Sequence, residues 1–228
     1  MKHAIVLLSG GVDSTTVLYH ARRQGYKIHA LIFDYGQRHK KEIERAKRIA
    51  QLSRSDYRVI KISFPWRGSA LLDKKISLPQ NRFIIPDKIP VTYVPARNII
   101  FLSFAASFAE AIGARAIFIG ANAIDYSGYP DCRPEFFKAF QHMMAKGMKT
   151  GVEGKTIKIY APLIRKTKAQ IVRLGLKLKV PFHLTWSCYK GGKKPCGRCD
   201  SCLLREKGFK EAGKEDPYFK RPSDQATK

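Results

Sequence analysis

Residues 4–14 read AIVLLSGGVDS, an apolar run that ends directly in a glycine-containing turn. The unbroken apolar run at 4–8 predicts a strand that is covered on both faces, as strands of parallel sheets are. Gly10 and Gly11 permit a sharp turn and a close approach of the backbone to a ligand. A helix is predicted at 13–24, and its unpaired N–H groups would favour phosphate oxygens. The stretch therefore predicts a strand–turn–helix unit with an anion site at the turn.

Strand-like and helix-like segments alternate in the residues that follow. Further strands are predicted at 28–35, 57–62 and 114–120, and further helices at 40–52, 99–112 and 166–178. Strands that are separated by helix-length connections form parallel βαβ units, so the predicted fold class is an α/β doubly wound parallel sheet. Ligands of such sheets bind at the carboxyl ends of the strands. The proline-rich segment 64–95 has no clear period and is interpreted as a long excursion that could act as a lid.

Composition and charge narrow the class of protein. The chain has 228 residues with a formal net charge of +25, which suits one α/β domain at 1–180 followed by a small C-terminal region at 181–228. No apolar run approaches the roughly 20 residues of a membrane span, and the first residues do not resemble a signal peptide, so a cytoplasmic protein is expected. The charge fits a nucleic-acid partner, anionic small substrates or a solvated lysine-rich surface.

The turn at 9–14 also carries polar side chains that could bind a ligand. The hydroxyls of Ser9 and Ser14 can bind phosphate oxygens, and Asp13 can help to hold a magnesium ion that bridges phosphates. An ordinary strand–helix turn, with Asp13 or Ser14 as the N-cap residue, is the alternative. Neither GxxxxGK[ST] nor GxGxxG is present, so neither of those nucleotide-binding loops is predicted.

Polar residues also follow two other predicted strands. In FDYGQRH at 33–39, Arg38 and His39 can reach phosphates, although His39 fits a surface helix position equally well. Arg97 begins a predicted helix, where a guanidinium suits the charge of pyrophosphate or an adenylate. The loop at 120–136 concentrates carboxylates, an amide, hydroxyls and tyrosine rings, a set that fits a planar, hydrogen-bonding heterocycle.

Four of the five cysteines crowd into fifteen residues near the C-terminus, at Cys188, Cys196, Cys199 and Cys202. In a reducing compartment such a cluster indicates metal binding rather than disulfides. Four thiolates form the full ligand set of a closed, structural zinc site, and the same set could hold an iron–sulfur cluster. Cys132 stands alone and is interpreted as structural.

The hexapeptide SGGVDS resembles the pyrophosphate-binding loop of the N-type ATP pyrophosphatases, which have the adenine nucleotide alpha hydrolase-like fold. Together with FDYGQRH, VPARN, SGYPDCRPEF, TWSCY, CGRCDSC and LLREKGFKEAG, it resembles the 7-cyano-7-deazaguanine synthase family over nearly the whole chain. The resemblance implies a ligase that converts 7-carboxy-7-deazaguanine and free ammonia into 7-cyano-7-deazaguanine, with ATP and Mg2+, for queuosine or archaeosine biosynthesis. It favours one structural Zn2+ at the four cysteines and a homodimer, and it does not require tRNA.

The motifs and this resemblance assign expected roles to individual residues. The expected catalytic residues are Asp13, Ser14 and Arg97. The expected ATP contacts are Leu8, Ser9, Gly10, Gly11, Val12, Asp13, Ser14, Asp34, Gln37, Arg38 and His39. The expected contacts of the base substrate are Asn122, Asp125, Tyr126, Ser127, Tyr129, Asp131, Arg133 and Glu135.

Two other functions are weighed against this one. A tRNA-modifying N-type ATP pyrophosphatase would suit the positive charge and predicts salt-dependent tRNA binding. A non-catalytic, zinc-containing nucleic-acid-binding regulator would need no pyrophosphate loop, so Asp13, Arg97 and the acidic loop disfavour it. Acids slightly outnumber bases at 97–136, which moves most of the basic charge away from the expected base site.

Overall fold

A computed structural model describes residues 2–81, 89–124 and 128–218. In these ranges the strands are β1 (Lys2–Leu7), β2 (Tyr26–Asp34), β3 (Asp56–Lys61), β4 (Ala116–Phe118) and β5 (Lys158–Tyr160). The α-helices are α1 (Val12–Arg23), α2 (Lys41–Leu52), α3 (Arg97–Ala111), α4 (Pro134–Gly147), α5 (Lys149–Val152), α6 (Lys168–Lys177) and α7 (Asp200–Glu211). None of the helices in these ranges combines the length and the apolar character that crossing a bilayer requires.

The five strands form one parallel sheet in the order β3-β2-β1-β4-β5. The chain therefore builds the sheet outward from β1 in one direction, then returns and builds it in the other direction from β4. A crevice forms at the carboxyl ends of the strands where the order reverses, between β1 and β4. The predicted α/β doubly wound sheet is confirmed, and the turn at 9–14 lies at this switch point.

Alternate residues of β1 enter two separate cores. Ala4 and Val6 pack with α1, α2, α6 and α7 on one face of the sheet. Ile5 and Leu7 pack with α3 and α4 on the other face. Because both faces are covered, the strand has no polar position between Ala4 and Leu7, as the continuous apolar run predicts.

The elements depart from the predicted ones mainly in the second half of the chain. Helices α4, α5 and α7 and strand β5 were not predicted, and β4 is shorter than the predicted strand at 114–120. Helix α6 begins as predicted near residue 166, since Thr167 and Gln170 form a capping box. The described part of segment 64–95 contains no helix longer than a turn and no strand, in agreement with the predicted excursion, and residues 82–88 lie outside the described ranges.

Gly10 is the position where the fold most needs a glycine. Its φ is +81°, and a Cβ atom there would lie 2.7 Å from the Glu42 carbonyl oxygen and 2.8 Å from the Ala46 amide nitrogen. Gly25 has nearly the same φ of +82°, but a Cβ atom there would meet nothing within 4 Å. The two glycines therefore share the backbone strain that alanine would suffer and differ in steric contact.

We expect Gly10→Ala to destabilise the protein much more than Gly25→Ala does. The left-handed backbone costs alanine about 1–2 kcal/mol at either position, whereas only Gly10→Ala also forces α2 away from the loop after β1. Urea denaturation of the two variants measures the difference in the free energy of unfolding. Equal losses of stability would contradict the close packing of this loop on α2.

Candidate active site

A cavity of about 250 Å³ opens at the carboxyl edge of the sheet, at the switch point between β1 and β4. It is lined by the turn after β1, the start of α1, the loop after β2, the start of α3 and the loop that follows residue 185. The expected site residues that line it are Leu8, Ser9, Gly11, Val12, Asp13, Ser14, Gln37, Arg38, His39, Arg97, Asn122 and Tyr129. Residues that are distant from one another in the sequence thus meet around one space.

Other expected site residues lie beside this cavity or away from it. Gly10 packs against α2, and the Asp34 carboxylate pairs with Lys40 at 3.2 Å. Arg133 and Glu135 are exposed at the start of α4. Asp125, Tyr126 and Ser127 lie outside the described residues.

The turn at 9–14 is held by its own hydroxyl groups. The Ser9 and Ser14 hydroxyls hydrogen-bond each other at 3.0 Å, and the Ser9 amide donates to Ser14 Oγ at 3.2 Å. Gly11 is the N-cap residue of α1, and no side chain caps this helix. Neither Asp13 nor Ser14 therefore serves as the N-cap, and the helix N-terminus faces the cavity with its partial positive charge.

Asp13 is bound by a lysine that the sequence analysis did not identify. Lys168 Nζ donates to both carboxylate oxygens of Asp13, at 2.8 and 2.7 Å, and the lysine is only 8% exposed. Lys168 is the first residue of α6, where the helix dipole disfavours a cation, so the Asp13 carboxylate offsets an unfavourable position. Its aliphatic stem fills the space over Gly208 of α7, where a Cβ atom would lie 2.3 Å from Lys168 Cγ.

Arg97 supplies a second buried cation to the cavity. Burial of the guanidinium opposes its charge, but the nearby Tyr35, Tyr129 and Asp131 more than offset this, so the pKa of Arg97 lies above its ordinary value. The helix start that carries Arg97 is fixed by Asp131, whose Oδ2 accepts the Asn98 N–H at 3.0 Å. Arg97 is therefore a permanent positive charge with a fixed backbone position.

Asp131 and Cys132 both hydrogen-bond Asn98, the residue after Arg97. The Asn98 side-chain amide donates to the Asp131 carbonyl at 3.1 Å and to Cys132 Sγ at 3.3 Å. Burial raises the pKa of Cys132 to about 12, so this residue is a neutral thiol and a poor nucleophile.

Aromatic rings form much of the remaining wall. The rings that line the cavity belong to Phe33, Tyr35, Phe101, Tyr129, Trp186 and Tyr189. The Tyr129 hydroxyl hydrogen-bonds Thr92 Oγ1 at 2.7 Å, which anchors the loop that begins after residue 127. Flat apolar faces with fixed polar groups at their edges suit a planar heterocycle.

The loop after β2 is tied to its surroundings by the side chains expected to contact ATP. Gln37 Oε1 accepts the Tyr35 N–H at 2.8 Å, and its amide donates to the Phe33 carbonyl. The Arg38 guanidinium donates to the carbonyls of Asp73 and Ile76, at 2.8 and 2.6 Å, and so holds the described part of the long excursion near the cavity. These residues line the cavity while also fixing its rim.

The four clustered cysteines fit a metal ion. Their sulfur atoms all lie within 4.8 Å of one another, and Cys188, Cys199 and Cys202 are buried. Backbone N–H groups point at the sulfurs: the Cys196 amide donates to Cys188 Sγ at 3.3 Å, and the Cys199 amide donates to Cys196 Sγ at 3.4 Å. Such donors stabilise thiolates, so the donor set matches a four-coordinate thiolate site.

The cysteine cluster is connected to the turn at 9–14 through Trp186. The Trp186 backbone N–H donates to the Gly10 carbonyl at 2.8 Å, and its indole N–H donates to the Cys188 carbonyl at 2.8 Å. Arg205 of α7 donates to the Thr185 hydroxyl, next to Trp186, at 2.8 Å. It also forms a buried ion pair with Asp216 at 2.7 Å. The two hydrogen bonds of Trp186 therefore connect the cysteine cluster to one wall of the cavity.

Comparison with known proteins identifies the family. The family model described as queuosine biosynthesis protein QueC matches residues 3–213, a range that includes the whole cavity lining and all four cysteines. The chain belongs to the QueC family. The family that was recognised in the sequence motifs is thereby confirmed.

Curated relatives carry the name 7-cyano-7-deazaguanine synthase. One from Thermoplasma acidophilum is 54% identical to this chain, over 97% of this chain and 94% of the relative. Another, from Acetivibrio thermocellus, is 55% identical over 93% of this chain and 95% of the relative. Because both partners are covered almost completely, this QueC-family chain corresponds to essentially the whole of these relatives.

Solved structures show the same fold at much lower identity. NMN synthetase from Francisella tularensis superimposes with a TM-score of 0.51 and 16% identity, over 94% of this chain and 78% of that chain. A predicted subunit of tRNA methyltransferase from Methanocaldococcus jannaschii gives a TM-score of 0.50 and 15% identity, over 97% and 94%. These likenesses support the adenine nucleotide alpha hydrolase-like fold of this QueC-family chain.

Proposed function

We propose that the chain is an ATP-dependent ligase that converts 7-carboxy-7-deazaguanine and ammonia into 7-cyano-7-deazaguanine. The observation that carries this proposal is a single cavity in which the SGGVDS turn, Arg97 and a wall of aromatic rings face one another. That arrangement brings an anion site and a planar-ring site within reach of one reaction. Membership of the QueC family, whose curated relatives bear the synthase name, supports it.

The phosphates of ATP would bind at the N-terminus of α1. The helix dipole and the Ser9 and Ser14 hydroxyls favour phosphate oxygens there. Asp13 lines the cavity with its side chain 21% exposed, so it can hold Mg2+ while it remains paired with Lys168. Bound magnesium would supply charge neutralisation on the phosphate oxygens.

Arg97 would stabilise the reacting centre. In the proposed reaction a carboxylate oxygen of the base attacks the α-phosphorus of ATP, the bond to the β-phosphate oxygen breaks, and pyrophosphate leaves. A fixed, permanently charged guanidinium suits the negative charge that develops on the α-phosphate oxygens. Ammonia then displaces AMP to give an amide, and a second adenylation at the amide oxygen allows elimination to the nitrile.

The deazaguanine ring would bind against the aromatic wall. Tyr35, Tyr129 and Tyr189 offer ring faces, and Asn122, in the loop after β4, lines the same cavity. Asp125, Tyr126 and Ser127 remain predicted substrate contacts, as do Asp131, Arg133 and Glu135.

One zinc ion would occupy the four-cysteine site and play a structural part. It would hold Trp186 against the turn at 9–14, and no step of the reaction passes through it. A homodimer, which the family resemblance implies, stays a prediction.

The proposal is tested by supplying the free base. Purified protein, ATP, magnesium, ammonia and 7-carboxy-7-deazaguanine are incubated without RNA, and products are followed by mass spectrometry. We expect the mass of the amide to appear first and that of the nitrile to follow. Modification of tRNA without conversion of the free base would favour a tRNA-modifying ATP pyrophosphatase, and absence of any ATP consumption would favour a non-catalytic regulator.

A further inference from the structure

Two carboxylic acids line the cavity within the described part of the chain, Asp13 and Glu42. They differ in their surroundings. Asp13 is bound through both oxygens by Lys168, whereas no described lysine or arginine lies within 4 Å of the Glu42 carboxylate. Glu42 is thus the cavity carboxylate that is available to exchange a proton.

The packing of α2 holds Glu42 close to the turn at 9–14. It belongs to the first turn of that helix, and its backbone carbonyl oxygen would lie 2.7 Å from a Cβ atom on Gly10. The neighbouring Lys41 directs its ammonium group elsewhere, to the carbonyls of Gly192 and Lys193 at 2.6 and 2.9 Å. The Glu42 side chain therefore faces the cavity without a lysine partner from its own helix.

The electrostatic surroundings of Glu42 favour proton exchange near neutral pH. Burial raises the pKa of Glu42 to about 7, the positive charge of Arg97 on α3 opposes this rise, and Cys188 adds to it. A carboxyl group with such a pKa can accept a proton and release it to solvent at neutral pH.

The proposed reaction needs such a group. An ammonium ion carries four hydrogens and a nitrile nitrogen carries none, so every hydrogen must leave the nitrogen as a proton. The phosphate chemistry removes none of them, because ATP is attacked by oxygen in both activations. A proton acceptor must therefore stand beside the nitrogen, on the cavity wall that also faces the adenylated carbon.

We infer that Glu42 is a catalytic residue, the general base that accepts protons from the substrate nitrogen. This inference rests on the proposed function and adds to it the residue that moves protons.

Glu42 would accept the protons of the substrate nitrogen in succession. Ammonium gives one proton to the Glu42 carboxylate, and the lone pair that is freed on nitrogen forms the C–N bond at the adenylated carbon. Nitrogen loses a second proton, the C–O bond to AMP breaks, and its electron pair leaves with AMP to give the amide. After the amide oxygen displaces pyrophosphate from a second ATP, nitrogen loses its last two protons while the C≡N bond forms and the second AMP leaves. Between steps Glu42 returns each proton to solvent.

The test replaces Glu42 by glutamine, which keeps the shape of the side chain and removes the base. Hydroxylamine serves as the second nucleophile, because it is largely unprotonated at neutral pH and attacks adenylates without a general base. For Glu42→Gln we expect a loss of about 100-fold or more in the rate with ammonium, the size of effect typical of a general base. We expect hydroxamate formation with hydroxylamine to stay near the wild-type rate.

Glu44→Gln is the matched control, since Glu44 is an exposed residue of the same helix turn and should leave both rates unchanged. In the wild type, the rate with ammonium should rise with pH and level off above about 7, once Glu42 is ionised, whereas in Glu42→Gln it should keep rising toward the pKa of ammonium, because only free ammonia then reacts. Equal losses with ammonium and hydroxylamine would overturn the inference and assign Glu42 to binding or folding. A wild-type protein that forms neither nitrile nor hydroxamate would instead refute the proposed function.

Discussion

Replacing Asp13 by asparagine is expected to reduce nitrile formation by at least about 100-fold, the usual effect of removing one charged group that stabilises a transition state. The amide has no charge with which to hold a magnesium ion and cannot compensate the Lys168 ammonium group, which is 8% exposed. Steady-state rates with the free base, ATP and ammonia measure the effect. Asp56→Asn is the control, since Asp56 is an exposed carboxylate at the opposite edge of the sheet.

The Asp13 variant should also lose stability, because it removes the carboxylate that binds the buried Lys168 ammonium group through both oxygens. The double variant Asp13→Asn, Lys168→Met removes both charges and should regain stability while remaining inactive. Thermal denaturation followed by circular dichroism distinguishes the two effects. Near-normal turnover of the folded single variant would contradict the assignment of the turn at 9–14 as the phosphate site.

Replacing Cys199 by serine is expected to remove the metal ion and much of the stability together. Metal binding at four thiolates contributes its free energy directly to folding, and Cys199 is buried at the N-cap of α7. Loss of order there would also release Trp186 from the Gly10 carbonyl and disturb the phosphate turn. Elemental analysis should find about one zinc per wild-type chain and almost none in the variant, with a lower melting temperature.

Cys132→Ser is the matched control for this substitution, because Cys132 lies outside the cluster of four sulfurs. It should keep its metal content. Undiminished zinc in Cys199→Ser would contradict the four-cysteine site. Iron in place of zinc in the wild type would correct the identity of the metal and leave the proposed reaction standing.

The first half of the fold was predictable from local pattern. The apolar run of β1, the glycine turn and the helix after it are consecutive in the chain. The strands of a sheet that is covered on both faces have continuous apolar sequences, which are easy to recognise. Strand β5 has only three residues, two of them exposed, so it carries no comparable pattern. Helix α7 contains one of the clustered cysteines, Cys202, and Gly208, and its apolar residues do not form one stripe, which hides its helical period.

The residues that line the cavity were predictable where one loop supplies several of them, and a contact was missed where two distant elements share it. The glycines and hydroxyl residues of the turn at 9–14 indicate a ligand-binding loop from the sequence alone. Lys168 stands 155 residues beyond Asp13 in the sequence, and only the packing of α6 beside α1 brings their side chains together. Glu42 looks like an ordinary charged residue at the start of an amphipathic helix, and only its place in the cavity lining separates it from Glu44.

The fate of the carboxylate oxygens tests the central claim most directly. The free base is prepared with both carboxylate oxygens labelled with ¹⁸O and is converted with unlabelled ATP and ammonia, and AMP, pyrophosphate and nitrile are analysed by mass spectrometry. The account predicts two molecules of AMP for each nitrile and one ¹⁸O atom in each AMP, since each oxygen attacks an α-phosphorus in turn. Label in inorganic phosphate with formation of ADP, or AMP that carries no label, would contradict adenylation at this site.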